Sequence, residues 1–300
     1  MPSLLSRLVP GYLRITRSNR IYTSAEHARV HIEERRIRPR PFGPPRLLRP
    51  DVSISVDHDL GWPVYTLRTK NANPGGGVVF VHGGGWVNEI ALQHWQLAAQ
   101  IAAEGLTSVA LPIYPLVPFG TADQVVRTIA DLVRTCTARY GSTCLVGDSA
   151  GGQIALSAAL LLREHSHTVT RTVLISPALD LSLSNPEIDR VQPSDPWLGR
   201  DGTRVFIEHW RGSLAISDPL VSPLAADLDG LGPLTVFCGT RDILNPDTRL
   251  LIGKAIAAGV DVDYYEERGL VHVYPLTPTP EGRTARALLI ERLRTSQAGR

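Results

Sequence analysis

Gly147-Asp148-Ser149-Ala150-Gly151 places a hydroxyl between two glycines in the order G-x-S-x-G. The five residues follow the apolar run TCLVG and open the helical stretch AGGQIALSAALLLREH. Small flanking residues permit a tight strand-to-helix turn that would hold Ser149 exposed and strained, beside a helix N-terminus with unpaired N–H groups. Such a serine is a candidate nucleophile for acyl transfer. The bland alternative is a glycine-rich helix start with a capping serine. A second cluster, His82-Gly83-Gly84-Gly85-Trp86, follows the run VVFV. Backbone N–H groups can approach a developing oxyanion only where side chains are absent, and a glycine run meets that need. A phosphate cradle would need a Lys-Ser/Thr pair after the glycines, and none follows. His82 stands at a strand end and reads as structural rather than as a base.

A serine in this strand–turn–helix setting takes its partners in the chain order serine, acid, histidine. Of nine histidines, only His272 lies downstream of the later acids, in the loop GLVHVYP after the run VDVDYYE. The run LTVFCG leads into Gly239-Thr240-Arg241-Asp242, which puts Asp242 on the loop at a strand's end. Asp247 competes, but Asn245-Pro246-Asp247 reads as a helix start: cap, proline at the first position, then an acid complementing the dipole. Asp242 is therefore the expected orienting acid and Asp247 a structural one. Weaker groupings remain. His27 and His31 at i, i+4 could face a metal together but lack an obvious third ligand. His165-Ser166-His167 reads as a solvated helix end, Asp57-His58-Asp59 as a turn, and Glu266-Glu267 as mere adjacency. Cys144 and Cys238 fall in expected core strands and read as inert buried thiols.

The elements that must position these groups alternate regularly. Strands VSISV, VYTLR, VVFV, TSVAL, TCLVG, RTVLIS, LTVFCG and VDVDYYE are interleaved from the third onward with helical stretches such as ADQVVRTIADLVRTCTARY and PDTRLLIGKAIAAG. Short continuous apolar strands separated by helices predict an α/β fold with a mostly parallel sheet. Residues 178–230 are too long for a simple crossover and hold a helix around DPWLGRDGTRVFIEHWRG, so they read as an insertion over the sheet edge. Residues 1–50 differ. They carry eleven Arg, no Lys and three acids, a formal +8, although the whole chain of 300 residues is only +2. Pro10 should kink or split the helix suggested by Leu4, Leu5, Leu8, Tyr12 and Leu13. Ser24 caps a second helix to Arg36, and RPRPFGPPRLLRP reads as an extended linker. The chain thus divides into an arm and linker, 1–50, and a main domain, 51–300.

Composition sets outer limits. A hydrophobic share of 43% with 20% charged residues fits a globular chain. A net charge of +2 argues against nucleic acid as an obligate partner. No apolar run approaches the ~18 residues of a membrane span, and Ser6, Arg7 and Pro10 interrupt any secretory h-region. Three cysteines without CxxC spacing make a disulfide framework improbable and the reducing cytoplasm the default.

Together HGGGW and GDSAGG resemble the two signature segments of the hormone-sensitive-lipase-like family of α/β-hydrolases, also called bacterial esterase family IV. The resemblance runs through SDPLVSPL, GTRDILNPD and GLVHVYP to the last helix, about residues 75–295. It implies an eight-stranded, mostly parallel sheet with helices on both faces and a helical cap built from the N-terminal arm plus the insertion. It implies Ser149, Asp242 and His272 as catalytic residues, and the N–H groups of Gly84, Gly85 and Ala150 as the oxyanion hole. It implies hydrolysis of short- to medium-chain carboxylic esters through an acyl-enzyme, with no cofactor and no metal, and with a homodimer as an option. The family's usual D-Y-R-L-A-P is Ile113-Tyr114-Pro115-Leu116-Val117-Pro118 here, a variant that looks similar to acetyl-ester hydrolases. Competing readings are N-acetyl or amide hydrolysis, an interfacial lipase, and a non-catalytic receptor. His272 counts against the last, because the family's receptors lack that histidine. The leucines at 4, 5, 8 and 13 are expected to pack on the insertion near Phe206 and Trp210, so that arm and insertion together roof the Ser149 pocket.

Overall fold

The computed structural model describes residues 2–38, 40–70 and 73–298. Eight strands form one sheet: β1 Val52–Asp57, β2 Val64–Thr69, β3 Gly77–Val81, β4 Ser108–Pro112, β5 Thr143–Asp148, β6 Arg171–Ile175, β7 Leu234–Arg241 and β8 Val262–Val271. Their spatial order is β1-β2-β4-β3-β5-β6-β7-β8. The β1–β2 and β2–β4 pairs are antiparallel and every later pair is parallel. The chain therefore has the expected mostly parallel eight-stranded sheet.

Burial explains the composition of the central strands. Every residue of β3 and β5 is buried, so neither has a polar face. Val78 and Phe80 point to the side covered by α4 (Leu92–Gly105) and α10 (Pro280–Ala298), where they meet Trp95, Ile101 and Leu289. Val79 and Val81 point to the side covered by α5 (Ala122–Tyr140) and α6 (Ala150–Glu164), where they meet Ile129 and Ile154. The parallel strands all run the same way, so the loops after β3, β5, β7 and β8 gather at one end of the sheet.

Between β6 and β7 the chain makes the short α7 (Glu187–Val191) and the longer α8 (Arg200–Arg211). The arm makes α1 (Leu4–Ile15), α2 (Arg20–Thr23) and α3 (Ala25–Ile37), with the Ser24 hydroxyl capping α3 at His27 N–H. Residues 40–50 are irregular; Pro39 in this linker, and Asn71 and Ala72 in the later turn, lie outside the described residues.

The structure corrects two expectations for the arm. Pro10 does not split its helix: α1 is continuous, with Pro10 inside. Ser3 caps the first turn, the Thr16 N–H closes the last, and Ser6, Pro10 and Leu13 are pressed against the body, which holds the turns on either side of the lost hydrogen bond. Nor do Leu4, Leu5 and Leu8 reach the insertion. They are exposed, and α1 lies instead against α10 and β8. Tyr22, Ala28 and Ile32, from α2 and α3, are the arm residues in the core that includes Phe206 and Trp210, with the Tyr22 and Phe206 rings meeting edge to face at 5.9 Å.

Candidate active site

Ser149 sits between β5 and α6 at φ +53°, a conformation in which a side-chain-bearing residue is strained. Its N–H is fixed to Ile175 O (2.8 Å), and its carbonyl receives the Ala178 N–H. Its Oγ is left pointing at the end of the sheet, 2.9 Å from His272 Nε2. The Nδ1 of the same ring lies 2.8 Å from Asp242 Oδ2. His272 follows β8, and the next residue, Val273, ties the loop down through its N–H to Ser176 Oγ (3.0 Å). Asp242 follows β7, is fully buried and takes the Leu244 N–H on its other oxygen (2.9 Å). Burial of the His272 ring opposes its charged form. The Asp242 carboxylate, by charge and by hydrogen bond, with Asp195 and Asp148 adding, more than offsets that and raises its pKa.

The glycine run turns beside this serine. Gly84 and Gly85 have φ of +133° and +62°, which a residue with a side chain adopts only under strain. Among the described residues no hydrogen-bond acceptor is found for the N–H groups of Gly84, Gly85 or Ala150. His82 faces away: its ring is buried, stacks on Tyr114 at 4.6 Å and has Nδ1 on Gly83 O, with its pKa pushed down to about 4 chiefly by burial.

Several residues at the site escaped the sequence reading. Asp148, inside the serine motif, accepts Gly83 N–H (2.9 Å) on one oxygen and His94 Nε2 (3.1 Å) on the other, and so ties the glycine loop to the Ser149 turn. Burial opposes its charge, but the His94 ring and the Gly83 N–H hold its carboxyl below the usual range. Asp195, from the insertion, accepts the N–H groups of Trp197 and Leu198 on one oxygen and of Ile243 on the other. Its pKa is pushed up by burial and by the Asp242 charge. Trp197 meets the His272 ring edge to face at 5.7 Å. Gln153, one turn into α6, accepts the indole N–H groups of both Trp86 (3.1 Å) and Trp210 (2.9 Å).

The competing groups lie elsewhere or are otherwise engaged. Asp247 is in the first turn of α9 (Asn245–Ala257), but Leu244, not Asn245, is the cap residue. Asp247 is buried, holds Asn185 Nδ2 at 2.7 Å, and is pushed up to about 6 chiefly by burial. His31 engages Asn88 Oδ1 at 2.8 Å.

Over Ser149 lies an apolar cavity of about 20 Å³, lined by Tyr22 of the arm, Gly85, Trp86, Leu198 and Ile207 of the insertion, and Leu244. Tyr22 packs on Gly85 so closely that a Cβ there would stand 3.0 Å from its ring.

Sheet order, the Ser149 turn and the glycine loop define a class, and the comparisons agree with it. The chain belongs to the α/β-hydrolase fold family, which it matches over residues 78–276. A solved esterase of the bacterial hormone-sensitive lipase family superposes with a TM-score of 0.83 at 26% identity, covering 99% of both chains. The chain is 33% identical over 244 residues to a triacylglycerol lipase of Mycobacterium tuberculosis, covering 80% of this chain but only 51% of that protein. It is 30% identical to an acetyl-hydrolase of Streptomyces hygroscopicus over 69% of this chain and 72% of the relative. Within the fold family the chain stands with the hormone-sensitive-lipase-like hydrolases of esterase and lipase type. Among the described residues no helix is long and apolar enough to cross a membrane.

Proposed function

We propose that this chain is a serine carboxylesterase acting on short-chain carboxylic esters through an acyl-enzyme. The carrying observation is the line Ser149 Oγ–His272 Nε2–Asp242, with contacts of 2.9 and 2.8 Å. Ser149 attacks the ester carbonyl while His272 takes its proton and returns it to the leaving alcohol; Asp242 holds the imidazole tautomer. The N–H groups of Gly84, Gly85 and Ala150 receive the negative charge that develops on the carbonyl oxygen. Water then repeats the path and frees the acid.

The acyl group is short in this reading, up to about four carbons. The cavity over Ser149 is small and apolar, with Trp86 and Leu198 in its lining, which favours a short acyl chain. The relative named an acetyl-hydrolase agrees with the short end of the range; the relative named a triacylglycerol lipase, only half spanned, points the other way. A series of aryl esters from acetate to laurate decides, with kcat/KM expected to fall beyond butyrate. Ser149→Ala should leave the fold intact and lower kcat by roughly 10⁵–10⁶, since such residues act as a unit. An Ala variant that keeps ester turnover would remove Ser149 from this role.

A further inference from the structure

Helix α1 carries two faces. Ser6, Pro10 and Leu13 are buried against the body. Ser3 N–H, Ser3 Oγ and Ser6 Oγ all donate to the Glu281 carboxylate at the start of α10, and Pro2 lies against Gly269, three residues before His272. The helix is therefore fixed along the rim that holds the His272 loop. Its outward face is apolar: Leu4, Leu5, Leu8, Tyr12 and Ile15 are each 54–83% exposed. At 3.6 residues per turn these five fall within an arc of about 100°. Among the described residues fifteen large apolar side chains are exposed, and this one helix holds five of them. Such density on a face that the fold does not use calls for a partner.

Charge says which partner. Arg7 and Arg14 border the stripe, Arg17 and Arg20 follow it, and no acid occurs in the sequence before Glu26. All four arginines are exposed, and none forms an ion pair among the described residues. A second copy of this chain would bring the same positive charge to the contact. An anionic lipid headgroup layer over an apolar interior complements both features at once, and a helix of this kind lies in such an interface with its apolar face down. We propose that α1 docks the protein on an anionic phospholipid surface, with the His272 rim turned toward it. Docking of this kind does not depend on the esterase reading.

Co-sedimentation of the full chain with vesicles tests it. Phosphatidylcholine vesicles, with and without phosphatidylglycerol, are used at low and high salt. The wild-type chain should bind the anionic vesicles and lose affinity as salt rises. Leu5→Gln/Leu8→Gln should weaken that binding at least about tenfold, or 1.4 kcal/mol. Arg7→Gln/Arg14→Gln should weaken it similarly, each arginine near an anionic surface being worth about fivefold. Neither variant alters a pocket residue, so both should keep the wild-type kcat/KM on a soluble aryl acetate. Ser149→Ala should bind vesicles like wild type, which separates failure of docking from failure of the esterase reading. Equal binding to neutral vesicles, or unaltered binding by the leucine variant, overturns the proposal. So does a concentration-dependent dimer that the leucine variant abolishes, because the stripe would then be covered by a second copy.

Discussion

His272 faces three carboxylates: Asp242 in contact, and Asp195 and Asp148 farther away. Under the proposed mechanism only the neutral ring can take the Ser149 proton, so the raised pKa should place the acid limb of kcat/KM above the ordinary histidine value of about 6.5. Asp195→Asn removes one negative charge and should move that limb to lower pH while kcat on the plateau changes little; a pH–rate profile of the variant measures this. Asp242→Asn should cost on the order of 10⁴ in kcat by releasing the wrong tautomer. Asp247→Asn should leave the rate unchanged and act on stability instead. A carboxyl raised to about 6 favours the fold while protonated and costs stability as pH rises from its unfolded value, about 3.9, through 6. The variant should therefore be more stable than wild type at pH 8, by about 1–2 kcal/mol, with the gain vanishing toward pH 4; paired melting curves at the two pH values test it. Ser149 and Asp242 could be singled out in the sequence because each follows an apolar strand, and His272 because it is the one histidine downstream of the later acids. Asp195 could not: it lies in an irregular insertion and reaches Ile243, 48 residues on, only through the fold. Asp247 had the spacing of a surface helix start, and spacing carries no information about burial.

At the scale of elements, the loop after β3 and the turn after β5 are one unit, joined by Asp148. Gly83 marks the join, because a Cβ there would stand 2.2 Å from Asp148 Oδ2 and 2.8 Å from its carbonyl oxygen. Gly83→Ala should displace the glycine loop and lower kcat by about 10²–10³, the loss expected for one oxyanion donor, with the far-UV circular dichroism unchanged. An Ala variant of wild-type rate would mean that the loop carries no part of the chemistry. The central strands were legible to within one or two residues because full burial leaves an uninterrupted apolar run. β8 was not: it continues to Val271, five residues beyond the apolar signal, because Arg241 pairs with Val271 past a register shift after Gly239. The seat of α1 was equally hidden, since its leucines signal a helix but not which face meets the body.

At the scale of the whole molecule, the arm and the insertion meet over the pocket through Tyr22, Phe206 and Ile32 rather than through α1. Removing residues up to about 46 should therefore lower kcat/KM on aryl acetate and octanoate and increase dye binding to newly exposed apolar surface, although Ser149, Asp242 and His272 all remain. Wild-type values in a folded truncated chain would detach the arm from the pocket. The tie of Ser3 and Ser6 to Glu281 has a consequence in time. Its partners are 278 residues apart, and a ribosome adding 5–20 residues per second delivers Glu281 roughly 14–56 s after Ser3. For most of that interval the first helix is made and its berth is not. Whatever captures an emerging greasy, arginine-studded segment, whether a chaperone or a nearby bilayer, meets it before the rest of the protein can.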